Sequence, residues 1–326
     1  MKKILFVIIS SGSAASTRVR VTNLIPELEK KGFVTETVRY PKTWRQKCQL
    51  VRLCAHFDVV FLQKRTPPRL YAKLLRLFAK KLVYDFDDAI YYTPNDPGQA
   101  RDRHRMSRFI NIIRQADLVI AGNTILAEEA QMYTKHCTIL PSAVETRDIP
   151  VKDYEVASEK FVIGWVGGEI NLPCLEALIP TLQELAKRHE IQLRIISSKS
   201  IEAPDIETLF IPWDEKTQEQ EIAEFDVGIM PLFDYPHTRG KCAYKALQYM
   251  AAGVPAVVSD VGINSSVVEH EVSGLVAQEL SDFEFCIEKL IMDQSLVRTM
   301  GERARAIVEE RFSVEYIGKE LAEILR

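Results

Sequence analysis

No apolar run of about eighteen residues occurs in this 326-residue chain, so no segment reads as a membrane-spanning helix. Cysteine is sparse and unpatterned. Cys48, Cys54, Cys137, Cys174, Cys242 and Cys286 form no C-x-x-C pair and sit mostly in apolar segments, as buried thiols of a reducing cytosol do. Zinc and haem-attachment spacings are absent as well. Glycine is missing where a nicotinamide dinucleotide would need it. The loop Ser10-Ser11-Gly12-Ser13-Ala14-Ala15-Ser16-Thr17 has one glycine instead of G-x-G-x-x-G, and the second apolar run ends in Val38-Arg39 instead of an acid. The apolar part of the start, Ile4–Ile9, is too short for a secretory leader and predicts a first buried strand.

Net charge is only −3, but it is unevenly spread: residues 1–150 carry +11 and residues 151–326 carry −14. Such asymmetry points the first half at something anionic. Arg45, Lys47, Arg52, Lys64, Arg65, Arg69, Lys73, Arg76, Lys80 and Lys81 supply much of the excess. The helical segments 43–55 and 68–79 mix them with Leu50, Leu53, Leu70, Leu74, Leu75 and Phe78. Two readings fit that mixture: a surface resting on anionic lipid head groups, or solvated helices whose apolar stripes face a sheet. No nucleic-acid motif accompanies the charges, so nucleic acid is not expected as a partner.

Short, mostly β-branched runs fall near 3–9, 33–39, 58–62, 81–86, 117–121 and 137–140, then near 161–166, 191–196, 207–211, 226–230, 255–259 and 274–276. Amphipathic stretches separate most of them, which predicts an α/β protein with parallel sheets. Twelve strands in one sheet would be unusual, so two Rossmann-like domains are expected, 1–150 and 151–326. The divide is placed in the charged segment 144–160, which contains Pro150, and a last amphipathic helix is expected over 313–325.

Residues 238–262 are the most informative stretch. They predict a polar loop, a helix capped by Thr238 and ended by Gly253, then a buried strand after Pro255. On one continuous helix Lys241, Lys245 and Gln248 would share a face at the amino end, where free N–H groups favour a diphosphate. The plainer reading is a surface helix followed by a core strand.

The words T-R-G-K-C and M-A-A-G-V-P-A-V-V-S in this stretch resemble the donor-site segment of retaining glycosyltransferases of family 4, the group 1 glycosyltransferases. Asp85-Phe86-Asp87-Asp88-Ala89, Ala116–Asn123 and Ile163–Gly168 resemble further landmarks in the same order. The resemblance implies the GT-B architecture, two facing Rossmann-like domains with a cleft between them. The first domain would take the acceptor and the second a nucleoside-diphosphate sugar, with the final helix crossing back to the first. It implies sugar transfer to a hydroxyl in glycan or glycolipid assembly, with retention, no metal, and a cytoplasmic or membrane-peripheral location. Arg239 and Lys241 would neutralise the departing diphosphate, and Asp88 is a candidate base. Gly12, Gly167, Gly168, Trp213, His237, Gly240, Cys242, Ala243, Lys245 and Gln248 would line the donor site. Arg18, Arg20, Asp87 and Asn123 would meet the acceptor.

The chain departs from the family at three places. No Arg or Lys follows Gly168, and the family's paired glutamates are replaced by Gly240 and Gln248. Gln248 retains a carbonyl acceptor for a ribose hydroxyl but lacks charge. The residues leave other roles open: Trp213 at a base or over a sheet edge, an Asp of 85–88 as a helix cap, His237 in a solvated loop. A nucleotide-sugar 2-epimerase and a degenerate, non-catalytic sugar-nucleotide binder are the competing functions.

Overall fold

The computed structural model describes residues 1–9, 15–94, 102–156 and 159–326. Each of the twelve apolar runs forms a strand, to within one residue at either end of its expected span. They make two six-stranded sheets, and every pairing is parallel.

The first unit comprises Met1–Ala143, Tyr235–Cys242 and Ser313–Arg326. Its strands are β1 (Lys3–Ile8), β2 (Val34–Arg39), β3 (Val59–Gln63), β4 (Leu82–Phe86), β5 (Leu118–Ala121) and β6 (Cys137–Ile139), in the order β2-β1-β3-β4-β5-β6. Alternate residues serve opposite faces. Leu5, Val7, Val60, Leu62 and Tyr84 pack under the helices Trp44–Cys54, Arg69–Phe78 and Arg103–Gln115. Ile4, Phe6, Phe61 and Val83 meet Leu24, Leu28, Ile317, Leu321 and Leu325 on the other. The helix Val314–Leu325 therefore completes this unit's second face, and Ser313 caps it by accepting from Tyr316 N at 3.2 Å.

The second unit comprises Val144–Asp234 and Ala243–Phe312. Its strands are β7 (Phe161–Val166), β8 (Ile191–Ser197), β9 (Glu207–Pro212), β10 (Val227–Met230), β11 (Ala256–Ser259) and β12 (Gly274–Ala277). The order β12-β11-β10-β7-β8-β9 is that of dinucleotide-type Rossmann sheets, with a reversal between β7 and β10.

The chain divides after Ala143, seven residues before the expected boundary. Residues 144–152 are fastened to the second unit by main-chain bonds, Val144 N to Phe312 O and Lys152 N to Ala252 O, each 2.9 Å. Arg305 also donates to the Thr146 carbonyl. Composition marks the segment as polar, but only these pairings say which unit holds it.

A second correction concerns 238–253. The expected single helix is broken into Pro236–Arg239 and Tyr244–Ala251. Thr238 does not cap the longer one; its hydroxyl accepts from Tyr235 N in the shorter. Ala243 sits in the left-handed region at φ 51° and interrupts the helical path. Lys241 consequently lies outside the helix and cannot share its face with Lys245 and Gln248. The helix does end at Gly253, whose φ of 72° a side chain would strain.

Candidate functional site at the strand ends

In the first unit the carboxyl ends of β3, β4 and β5 gather an ionic cluster. Arg20 is almost fully buried and forks onto both Asp85 oxygens, while also donating to the carbonyls of Leu140 (2.6 Å) and Pro141 (2.9 Å). Burial works to lower its pKa, and Asp85 outweighs that and raises it. With its donors committed to the fold, Arg20 is not placed to bind an acceptor. Arg18, on the same helix Ala15–Arg20, is buried too.

Lys64 follows β3 with φ 54°, an unusual conformation for a side-chain-bearing residue. Its ammonium lies 2.9 Å from Asp87 and 3.3 Å from Asp88. Asp87 also accepts from Ser16 Oγ at 2.7 Å. Burial pushes the Asp87 pKa up, but Lys64 and Arg20 win and hold it below the usual carboxylate value. Asp88 faces His237 Nε2 at 3.4 Å. His237 is buried, not solvated; burial lowers its pKa against the opposing pull of Asp88, and its Nδ1 has no hydrogen-bond partner among the described residues.

Asn123 proves to be a positioning residue. Its Oδ1 caps the helix Thr124–Gln131 by accepting from Leu126 N at 2.9 Å. Its Nδ2 donates to the carbonyls of Gly240 (3.1 Å) and Lys241 (3.2 Å). Gly240 fits tightly there, because a Cβ would come 2.6 Å from that of Ala89. Cys242 is buried against Gly122, with its thiol donating to Asp87 O at 3.3 Å; burial pushes its pKa up to about 12. Its thiol is thus packed and protonated at neutral pH. Segment 235–242, expected in the donor domain, is anchored on the first unit, so His237, Arg239, Gly240, Lys241 and Cys242 all belong there. Gly12 lies outside the described residues.

In the second unit the reversal between β7 and β10 places Gly167 and Gly168 at the carboxyl end of β7, where such sheets bind ligands. Lys245, near the start of the helix Tyr244–Ala251, holds its ammonium 4.5 Å from the centroid of the Trp165 ring. A Cβ on Gly167 would fall 2.7 Å from that ring and 2.8 Å from Lys245 Cε. The glycine is therefore required by close approach. Trp165 Nε1 and, at the end of β8, Ser197 Oγ are fully buried and lack partners among the described residues. Glu169, in the following 3₁₀ turn, faces Lys199 at 3.5 Å near the surface.

Trp213 follows β9 and is 41% exposed, neither enclosed nor bare. Its Nε1 donates to Gln218 Oε1 at 3.0 Å, and Gln248 Nε2 donates to the same oxygen at 3.2 Å. The buried Gln218 thus ties together two residues that the sequence named separately. Sequence reasoning gave no site role to Gln218, Trp165, Lys64 or Ser197. Lys64 and Ser197 could have been found as polar residues at strand ends; Gln218 carries no such signal.

Residues 160–293 match the family described as glycosyl transferases group 1. The capsular polysaccharide biosynthesis glycosyltransferase CapM of Staphylococcus aureus is 27% identical over 188 residues, 55% of this chain and 49% of CapM. The putative glycosyltransferase YtcC of Bacillus subtilis strain 168 is 34% identical over 130 residues, 39% of this chain and 28% of YtcC. The chain thus spans under half the length of either relative. HepE of Anabaena, solved in complex with UDP and glucose, superposes with a TM-score of 0.77 at 16% identity, covering 100% of this chain and 99% of HepE. The fold is that of the GT-B glycosyltransferases. Within that GT-B frame the group 1 match spans all six strands of the second unit's sheet, and Gly167, Trp213, Lys245 and Gln248 lie inside it.

Proposed function

We propose that the protein transfers a sugar from a nucleoside diphosphate to a hydroxyl of a glycan or lipid-linked acceptor, with retention and without a metal. The observation that carries this reading is the end of β7. There Gly167 lets Lys245 close on the Trp165 ring, Gly168 beside it has open space where a side chain would stand, and the buried Trp165 Nε1 and Ser197 Oγ have no partners among the described residues. A diphosphate suits that setting, since Lys245 stands in the first turn of a helix. In this reading Lys245 supplies positive charge for the leaving group, and stabilising that charge supplies most of the rate. Metal-independence is supported by the carboxylates of Asp85–Asp88, which already face Arg20 and Lys64. Because the HepE structure holds UDP and glucose, uridine diphosphate sugars are the first donors to test.

The test is incubation with UDP-, GDP- and ADP-sugars and glycan acceptors. Release of nucleotide that depends on Lys245 supports transfer. Binding without turnover would support the degenerate binder, which the engagement of Gln248 by Gln218 favours.

A further inference from the structure

One face of the first unit is cationic and partly apolar, while the other is acidic. The helices Trp44–Cys54, Arg69–Phe78 and Arg103–Gln115 lie side by side on one face and contain Arg45, Lys47, Arg52, Arg69, Lys73, Arg76, Arg103, Arg105, Arg108 and Arg114 with no Asp or Glu. The helices Ile25–Lys30 and Val314–Leu325 on the opposite face carry Glu27, Glu29, Glu315, Glu320 and Glu323 against Lys30 and Lys319. Folding therefore sets a strongly cationic helix layer on one side of the sheet and a mildly acidic one on the other.

The cationic face also exposes apolar side chains. Trp44, Leu70, Leu77 and Phe78 are 67%, 69%, 76% and 41% exposed. Leu70, Lys73 and Leu77 fall at i, i+3 and i+7, one outward stripe along the helix, while Tyr71, Ala72 and Leu75 face the core. Leu50 and Leu75 fill the sheet-facing stripe of the second sequence reading, with Leu53 and Leu74 packed against it, while Leu70 and Leu77 are left over on the outside. Exposed leucine and tryptophan among lysine and arginine suit an interface with both a charged layer and a hydrocarbon boundary. A nucleic acid offers phosphates but no such boundary.

We propose that this face rests on an anionic lipid bilayer, with Trp44, Leu70 and Leu77 entering the head-group region and Arg45 and Lys73 among the cations meeting lipid phosphates. The proposal is independent of the reaction catalysed.

The test is sedimentation of the full chain with vesicles of phosphatidylcholine alone and with about one-third phosphatidylglycerol, where juxtamembrane cations gain appreciable attraction. Binding to the anionic vesicles only, weakened by salt, is expected. Leu70→Ser with Leu77→Ser, and separately Arg45→Glu with Lys73→Glu, should each weaken binding more than tenfold with unchanged thermal unfolding. Brominated lipid should quench fluorescence that Trp44→Phe removes. Equal binding to both vesicles, unaltered affinity in both double variants, or tighter binding to a single-stranded nucleic acid than to vesicles would overturn the proposal.

Discussion

Asn123 donates its side-chain amide to the carbonyl of Gly240, 117 residues later in the chain, at 3.1 Å. The same side chain caps its own helix, so one residue fixes both a helix start and the turn carrying Arg239 and Lys241.

Replacing it by alanine removes a cap and leaves buried carbonyls without donors. Asn123→Ala should cost about 2 kcal/mol in urea unfolding. Asn123→Asp keeps the cap acceptor but turns an oxygen towards two carbonyls, so it should be no better. A loss under about 0.5 kcal/mol would mean the turn is held by other contacts.

Lys64→Met removes the ion-pair partner of the largely buried Asp87 carboxylate, which keeps its hydrogen bond from Ser16. A loss of about 2 kcal/mol is expected at pH 7, less than for a fully buried broken pair because both side chains keep some solvent. Asp87 has a depressed pKa in the folded protein, so its contribution is present above the unfolded carboxylate value and fades as pH falls through the lower folded one. In the variant burial is less opposed and the pKa rises, so the gap between the two proteins should narrow from pH 7 towards pH 4. Unfolding midpoints at several pH values check this.

His237 shows the opposite kind of group, a base kept neutral by burial. Its folded pKa lies below the ordinary histidine value, so stability is present above about pH 6.5 and lost as pH falls through the folded value. His237→Gln should flatten that part of the stability profile, and an NMR titration of the ring should give a midpoint below that of free histidine.

Gly167→Ala forces a methyl group against Trp165 and Lys245. The Lys245 chain can swing away, but the fully buried Trp165 cannot, so a cost of about 1–3 kcal/mol is expected. Nucleotide affinity, measured by titration at temperatures where both proteins are folded, should fall as well if the end of β7 is the diphosphate site.

From the sequence alone Gln248→Glu would be expected to tighten nucleotide binding by restoring a carboxylate. The contacts of Gln248 argue for a different outcome. Gln218 Oε1 accepts from both Trp213 and Gln248, and a carboxylate at 248 would face it acceptor to acceptor. Relief by turning the Gln218 amide would cost Trp213 its bond. We expect unchanged or weaker nucleotide affinity and altered Trp213 fluorescence; tighter binding with unchanged fluorescence would show that the three side chains are not coupled.

What the sequence determined was local. Hydrophobic runs bounded by polar turns gave all twelve strands, because a buried parallel strand needs little beyond β-branched residues and a stop at each end. Gly253 and Pro255 ended a helix for reasons contained within a few residues. Gly167 was marked by its place after a strand. The tertiary structure decided which partners the polar side chains found. Arg20 and Asp85 stand 65 residues apart in the chain, and Arg20's recruitment into the core cannot be read from either neighbourhood. The break at Ala243 reflects anchoring of 240–242 by Asn123 and Asp87, which overrides a sequence otherwise suited to continuous helix. Burial patterns follow from periodicity, whereas hydrogen bonds and ion pairs between distant residues depend on register, crossover and approach, which exist only once both sheets have formed.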